Sequence, residues 1–163
     1  MIDSSPLVSI IMNCYNSDRF LKEAIDSVYA QTYSKWEIVF WDNFSTDKSP
    51  QIARSYDEKL KYNRGEQTVP LGAARNLALK KATGKYIAFL DCDDLFLPEK
   101  LERQVELMEN ENCVLSYGSI IVIDENGSTI RKNRMKNHGG FIFDKLLTKY
   151  EINMQSVMVR RSI

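Results

Sequence analysis

Tyr86-Ile-Ala-Phe-Leu-Asp91-Cys-Asp93-Asp94 is an apolar run that stops abruptly at three carboxylates. Ile87, Phe89 and Leu90 favour extended backbone. A near-continuous apolar run with Gly84 just upstream suits a parallel strand covered on both faces. Acids at the C-terminal end of such a strand stand where open α/β sheets bind their ligands. Two unit charges about 4 Å apart repel by roughly 4 kcal/mol at an effective dielectric near 20. The cluster therefore needs water, a basic partner, a shared proton or a cation. A divalent metal is the reading with chemical content. The plainer reading is a solvated loop in which Asp94 favours the start of a helix announced by Pro98.

Upstream of this stretch the chain alternates. Leu7 to Met12 is an apolar β-type run followed by Asn13-Cys14-Tyr15-Asn16-Ser17, which has turn chemistry. Phe20, Leu21, Ala24, Ile25 and Val28 recur at helical spacing, with Ser17 or Asp18 as the expected cap and an end near Gln31. Trp36 to Trp41 is a second strand, closed by the polar loop Asp42 to Asp47. Ser49-Pro50 opens the next helix. Lys61 to Arg64 is a short strand candidate. Pro70 to Gly72 breaks the chain before a helix over Ala73 to Ala82, for which Gly84 is the expected C-terminal stop.

Downstream, Leu97-Pro98-Glu99 starts a helix with Leu101, Val105 and Met108 as its inward stripe. The order β-α-β-α-β-α-β-α predicts a mainly parallel sheet with right-handed crossovers. The pattern then turns antiparallel. Val114 to Ser116 and Ser119 to Ile123 read as strand, and Asn126-Gly127 is a hairpin turn before Ser128 to Arg131. Arg131 to Gly140 is a basic, aperiodic stretch expected to form a loop. Phe143, Leu146 and Leu147 suggest a short helix, and Val157 to Val159 a last strand.

With 163 residues the chain is most simply one domain, residues 1–163, with enough length for a proper core. Lys plus Arg and Asp plus Glu number 22 each, so the formal charge is zero and no global field favours nucleic acid or an anionic membrane. The opening residues lack signal-peptide character, and no apolar run approaches 18 residues, so a cytoplasmic protein is expected. Cys14, Cys92 and Cys113 lack metal-finger or Cys-x-x-Cys spacing and are expected to be reduced, buried side chains. His138, beside Gly139 and Gly140, reads as a loop residue. No Gly-x-Gly-x-x-Gly follows the first strand and no Gly-Lys-Ser/Thr occurs, so neither a dinucleotide fold nor a P-loop has its phosphate cradle. A metal bridging acids and a diphosphate is a different solution, and Mg²⁺ or Mn²⁺ is often held by one or two carboxylates plus substrate phosphates.

Four ordered pieces carry a resemblance. They are Val8-Ser-Ile-Ile-Met-Asn-Cys-Tyr15-Asn16, then Ser27-Val-Tyr-Ala-Gln31-Thr32-Tyr33, then Trp36-Glu-Ile-Val-Phe-Trp-Asp42-Asn-Phe-Ser45-Thr46-Asp47. The last is Ala74-Arg75-Asn76 with Ala82-Thr-Gly84-Lys-Tyr86-Ile-Ala-Phe-Leu-Asp91-Cys-Asp93-Asp94 and Pro98. Together they resemble the nucleotide-sugar-binding part of family 2 glycosyltransferases, from Leu7 to about Ser162. The implied architecture is α/β: a Rossmann-like GT-A fold, its mainly parallel sheet flanked by helices, with a small antiparallel addition near the C-terminus.

The resemblance also implies roles. Tyr15 lies against the nucleotide base, and Asp42 with its neighbour accepts from that base. Asn43 stands where the family usually has Asp; an amide oxygen still accepts a uracil N–H but carries no charge. Arg75 resembles the arginine near the nucleotide. Asp91 and Asp93 resemble the Asp-x-Asp metal and ribose motif, with Asp93 expected to touch Mn²⁺ or Mg²⁺ and Asp91 and Asp94 as further metal candidates. The implied chemistry is inverting transfer from a nucleoside-diphosphate sugar, UDP-type, to a carbohydrate or glycolipid acceptor, at the inner face of the membrane when the acceptor is lipid-linked. The family's base lies in an acidic motif after the segment like Val157 to Ser162. None of Asp124, Glu125, Asp144 or Glu151 matches that motif, so no base is named and the general base is expected beyond Ile163. On that expectation the 163-residue chain is weakly active or inactive and self-associates.

Three other readings compete. A haloacid-dehalogenase-like phosphatase also places Asp-x-Asp after an apolar strand, but needs a hydroxyl where Leu95 stands. A calcium loop fits Asp91, Asp93 and Glu102, yet Leu95 and Phe96 occupy positions that need an oxygen ligand and Gly. A nucleotide-sugar-binding module without turnover is the third.

Overall fold

The computed structural model describes residues 5–134, 139–142, 144 and 152–162. In chain order the elements are β1 (Val8–Cys14), α1 (Asp18–Tyr29), β2 (Trp36–Asp42), α2 (Ser49–Arg54), β3 (Leu60–Arg64), α3 (Leu71–Leu79), β4 (Tyr86–Phe89) and α4 (Lys100–Asn110). There follow β5 (Leu115–Ser116), β6 (Ile120–Ile123), β7 (Thr129–Asn133), a 3-10 turn (Met154–Ser156) and β8 (Met158–Arg160). The main sheet has the order β3-β2-β1-β4-β8-β5. Its β3-β2-β1-β4 portion is parallel, and β8 runs antiparallel to both β4 and β5. The α/β class and the mainly parallel sheet read from the sequence are both present.

Alternation along β1 divides the core. Val8, Ile10, Met12 and Cys14 face the layer that holds α1, α2 and α4, where Leu21, Ala24, Ile25, Val28, Ala53, Leu101, Val105 and Met108 are buried. Ile11 faces the opposite layer, with Val39, Trp41 and Ile87 against Ala74 and Ala78 of α3. Each buried Leu or Ile contributes about 1.5–3 kcal/mol. Helices on both faces explain why β2 is buried at every position.

Local details differ from the sequence reading in instructive ways. Ser17 precedes α1, but its hydroxyl donates to the Tyr15 carbonyl (3.1 Å) instead of capping the helix. The loop after β2 supplies the acceptors: Ser49 Oγ takes the Ser17 N–H (3.1 Å) and Asp47 Oδ2 the Asp18 N–H (3.0 Å). Gly84 does not stop α3, which ends at Leu79. It is glycine because a Cβ there would lie 2.6 Å from the Ser9 nitrogen and 2.7 Å from the Leu7 carbonyl oxygen.

The acidic loop does not cap α4, which begins at Lys100, beyond Pro98. Residues 131–133 belong to β7 and not to a loop, because pairing with Ile120–Val122 supplies backbone partners that composition does not reveal. The Asn126-Gly127 turn is present, with Gly127 at φ +79°. Cys14 and Cys92 are buried while Cys113 is only half-buried; all three are free. His138, Phe143, Leu146, Leu147, Glu151 and Ile163 lie outside the described residues.

Candidate functional site

Strand order reverses direction between β1 and β4, since β2 and β3 continue on one side of β1 and β4 begins the other. Loops leaving the C-terminal ends of two such strands diverge and leave a crevice, the usual ligand position in an open α/β sheet. A cleft of about 410 Å³ opens there, lined among others by Asn13, Tyr15, Leu71, Asp91 and Asp93. The Tyr15 ring is 52% exposed. Arg19, Phe20 and Leu71 also line this cleft. Phe20 belongs by spacing to the helical stripe of α1 but lies at the cleft and not among the buried residues of that helix, while Arg19 and Leu71 carry no sequence signal beyond their place after strand one and at the start of α3.

The three acids differ in their surroundings. Asp91 is clamped on both oxygens: Arg75 Nη2 donates to Oδ1 at 3.0 Å and Gln155 Nε2 donates to Oδ2 at 2.6 Å. Asp93 is exposed at the cleft. Asp94 is half-buried, and burial, then the charges of Asp93 and Asp91, push its carboxyl above the usual carboxylate range, with a hydrogen bond from Gln155 opposing them. Gln155, on the 3-10 turn before β8, was not singled out from the sequence. Only the antiparallel insertion of β8 beside β4 brings it to the acids.

Asp42 and Asn43 stand one strand away, at the end of β2. Asp42 has no exposure; its Oδ1 accepts from the Ser45 N–H (2.7 Å) and its Oδ2 from Tyr62 (2.6 Å) and Arg64 (2.5 Å). The Asn43 amide pairs in both directions with the backbone of Val69, donating at 2.8 Å and accepting at 3.1 Å. Both side chains thus hold the loops bordering the cleft. The β1 and β2 loops are also joined to each other, Asn16 Oδ1 accepting from the Thr46 N–H at 2.8 Å.

Two buried donors here have no partner among the described residues, Asn13 Nδ2 and Trp41 Nε1. Their residues are lateral register partners near the ends of β1 and β2. Cys92 Sγ donates to the Asn13 carbonyl at 3.3 Å; the influence of Cys92 lowers the Cys14 thiol to about 7, and that of Cys14, with burial, pushes Cys92 up.

Two of the acids set aside as bases, Asp124 and Glu125, have other work. Asp124 Oδ1 accepts the N–H groups of Asn126 and Ser128, each at 2.9 Å, and so shapes the turn between β6 and β7. Glu125 pairs with Arg19 at 2.6 Å. Among the described residues none is assigned the role of general base.

Does this donor set fit a divalent cation? Among the described residues no three His, Cys, Asp or Glu side chains form a ready-made metal cage. Mg²⁺ and Mn²⁺ do not require one, since one or two carboxylates completed by phosphate oxygens and water suffice. An exposed Asp93 beside two acids that repel it meets that requirement. The calcium-loop reading fails on geometry, because among the described residues Asp91, Asp93 and Glu102 form no group that could hold a metal ion, and Glu102 accepts instead from Thr32 at 2.7 Å.

The family model described as Glycosyl transferase family 2 matches residues 9–162. The chain belongs to this family. It is 34% identical over 161 residues to the Escherichia coli protein named UDP-Glc:alpha-D-GlcNAc-diphosphoundecaprenol beta-1,3-glucosyltransferase WfgD, covering 96% of this chain and 61% of that one. It is 38% identical over 153 residues to an uncharacterized glycosyltransferase of Rickettsia felis, covering 93% of this chain and 25% of the relative. The family 2 chain thus spans between a quarter and about three-fifths of the length of these curated relatives.

Among solved structures, S. aureus TarS 1-349 matches with a TM-score of 0.72 at 23% identity, over 95% of this chain and 47% of TarS. The mannosyltransferase PcManGT of Pyrobaculum calidifontis, in complex with GDP-Man and Mn²⁺, matches with a TM-score of 0.68 at 22% identity, over 98% and 46%. At these identities the likeness is one of fold. Family membership removes the phosphatase reading, in keeping with Leu95 where a hydroxyl was needed. Among the described residues no helix is long and apolar enough to cross a membrane.

Proposed function

We propose that this domain binds a UDP-sugar together with Mn²⁺ or Mg²⁺ and serves inverting hexosyl transfer to a glycan or lipid-linked acceptor, within polysaccharide biosynthesis at the inner face of the membrane. One observation carries the reading: the cleft at the β1/β4 switch point is lined by an exposed aromatic residue, Tyr15, and by the acids Asp91 and Asp93. A nucleoside diphosphate asks for those two things, a flat apolar surface for its base and charge control for its phosphates. The 34% identical E. coli relative, named as a UDP-Glc transferase acting on a diphosphoundecaprenol-linked sugar, supports the choice of donor and acceptor class.

In this reading Tyr15 covers the face of the base. Asp42 and Asn43 shape the base end of the cleft by holding Ser45 and Val69 in place. Arg75 and Asp91 meet the ribose and diphosphate, and Asp93, with Asp91 and Asp94 near it, would hold the cation. When bound, the cation offsets charge developing on the leaving diphosphate. The acceptor oxygen forms its bond to C1 of the sugar on the face opposite the diphosphate, the C1–O bond to the diphosphate breaks, and the acceptor proton leaves to a base.

Calorimetry with UDP, with Mn²⁺ and with EDTA in its place, tests the reading. The expected result is binding that needs Mn²⁺ in the wild type and loses that dependence in Asp93→Asn, a substitution that removes charge at nearly constant volume. Equal affinity in both conditions for the wild type would remove the metal role. Turnover of labelled UDP-glucose with a lipid-linked acceptor then tests transfer itself.

A further inference from the structure

We infer that Gln155 is a positioning residue for the cation site, a neutral clamp that orients Asp91 and adds no positive charge to the acids. The inference rests on the proposed function above. Gln155 Nε2 donates to Asp91 Oδ2 at 2.6 Å. The amide thus holds the carboxylate oxygen that Arg75, which donates to Oδ1, leaves free.

The clamp is built on rigid elements. Asn153 Oδ1 accepts the Gln155 N–H at 3.1 Å, Ser156 Oγ donates to the Asn153 carbonyl at 2.7 Å, and Gln104 Nε2 of α4 donates to the Ser156 carbonyl at 2.9 Å. Met158, two residues after the turn, pairs with Ala88 in β4. The turn is therefore tied both to a helix and to the strand that carries the acids, so the Gln155 side chain has little freedom to be elsewhere.

The type of residue matters as much as its place. A lysine or arginine in this position would neutralise the acids and compete with a cation. A glutamate would add a fourth like charge and offer no donor. An amide supplies N–H groups to lone pairs without changing the sum of charges. Of the acids Asp91, Asp93 and Asp94, Asp91 pairs with a guanidinium, that of Arg75 at 3.0 Å, and Gln155 brings no further positive charge to them. Outer partners that orient a metal's carboxylates typically change metal affinity 10–100-fold when removed.

The test uses Gln155→Met, which keeps length and loses the hydrogen bond to Asp91, and Gln155→Glu, which keeps shape and replaces the donor with an acceptor. Mn²⁺ uptake in the presence of UDP is followed by the paramagnetic resonance of the free ion, UDP binding in EDTA by calorimetry, and unfolding by circular dichroism. Gln155→Met is expected to weaken Mn²⁺ uptake about tenfold or more, with UDP binding in EDTA unchanged. Gln155→Glu is expected to melt lower than wild type without metal and to gain more from Mn²⁺ than wild type does.

Wild-type Mn²⁺ affinity in Gln155→Met overturns the role of Gln155 and leaves the proposed function standing. Equal losses with and without metal also overturn it, since they would mark a merely structural contact. Wild-type chain that takes up no Mn²⁺ with UDP overturns the proposed function and this role with it. Should Gln155→Met fail to fold, Gln155→Glu decides alone: a Mn²⁺-induced rise in melting temperature no larger than that of wild type overturns the role.

Discussion

Arg64 at the end of β3 places Nη1 2.5 Å from Oδ2 of Asp42, its register partner at the end of β2, and that carboxylate has no solvent exposure. Tyr62 donates to the same oxygen, and Arg64 also donates to the Ser45 carbonyl at 2.8 Å and lies over the Phe44 ring. A buried charge is tolerable only when its partners are all in place. Tyr62→Phe removes one neutral donor and is expected to cost about 1 kcal/mol. Arg64→Met removes the counter-charge and leaves a buried carboxylate behind, so it is expected to cost clearly more. Urea midpoints of the two variants check the ranking; an Arg64→Met variant as stable as Tyr62→Phe would mean that Asp42 is neutral or rehydrated.

Gly84 makes the sharpest steric prediction in the molecule. The atoms within 3 Å of its hypothetical Cβ include the Ser9 nitrogen and the Leu7 carbonyl oxygen, which are backbone and cannot swing aside. Gly84→Ala must part β1 from the segment entering β4, and overpacking of this kind costs typically 1–3 kcal/mol, here about 3 kcal/mol. For a chain of this size that is a fall in melting temperature of roughly 6–12 °C. A fall under 2 °C would show that the contact relaxes at little cost.

These two cases mark what a sequence can and cannot reveal. The alternation of apolar runs with helical stripes made the parallel sheet readable, and the abrupt stop of an apolar run at Asp91 marked the sheet edge where the cleft opens. Both are signals local in the chain. Gly84 was read as a helix stop because its true constraint, Ser9, is far away in sequence. Gln155 went unnoticed for the same reason: it reaches Asp91 across 64 positions, through an antiparallel strand whose insertion beside β4 leaves no periodic mark. Asp42 was readable as a residue at a strand end, but not as a buried charge held by Tyr62 and Arg64.

Beneath the opposite end of the sheet, Glu37 gives a pH prediction. Burial pushes its carboxyl up, but hydrogen bonds from Ser9 Oγ (2.6 Å) and from the Thr83 N–H (2.9 Å) and Oγ1 (2.8 Å) outweigh burial and leave it below the usual range. A carboxylate with a folded-state pKa below its unfolded value stabilises the fold above the unfolded pKa, and the contribution is lost as pH falls through the folded one. Glu37→Gln is therefore expected to be less stable than wild type at pH 7, with the gap narrowing below about pH 4.3, the ordinary glutamate value. Urea unfolding of both chains at pH 7 and at steps below pH 5 checks this. A gap that stays constant, or widens in acid, would mean that the Glu37 interactions do not depend on its charge.

Tyr15 connects the fold to the proposed donor. It follows β1 directly, and its ring is half exposed at the cleft, so the fold gains little from burying it. An aromatic face that meets a nucleobase contributes about 1 kcal/mol beyond simple burial, which corresponds to roughly a fivefold change in affinity. Tyr15→Ala is expected to weaken UDP binding by about that factor or more while shifting the melting temperature by under 2 °C. Tyr15→Phe keeps the ring and is expected to bind UDP within about twofold of wild type. Inorganic diphosphate provides the control, since it carries no base: with Mn²⁺ present, its affinity should be the same for wild type and Tyr15→Ala. If the alanine variant loses diphosphate binding as strongly as UDP binding, Tyr15 acts by holding the loop between β1 and α1 and not by covering the base.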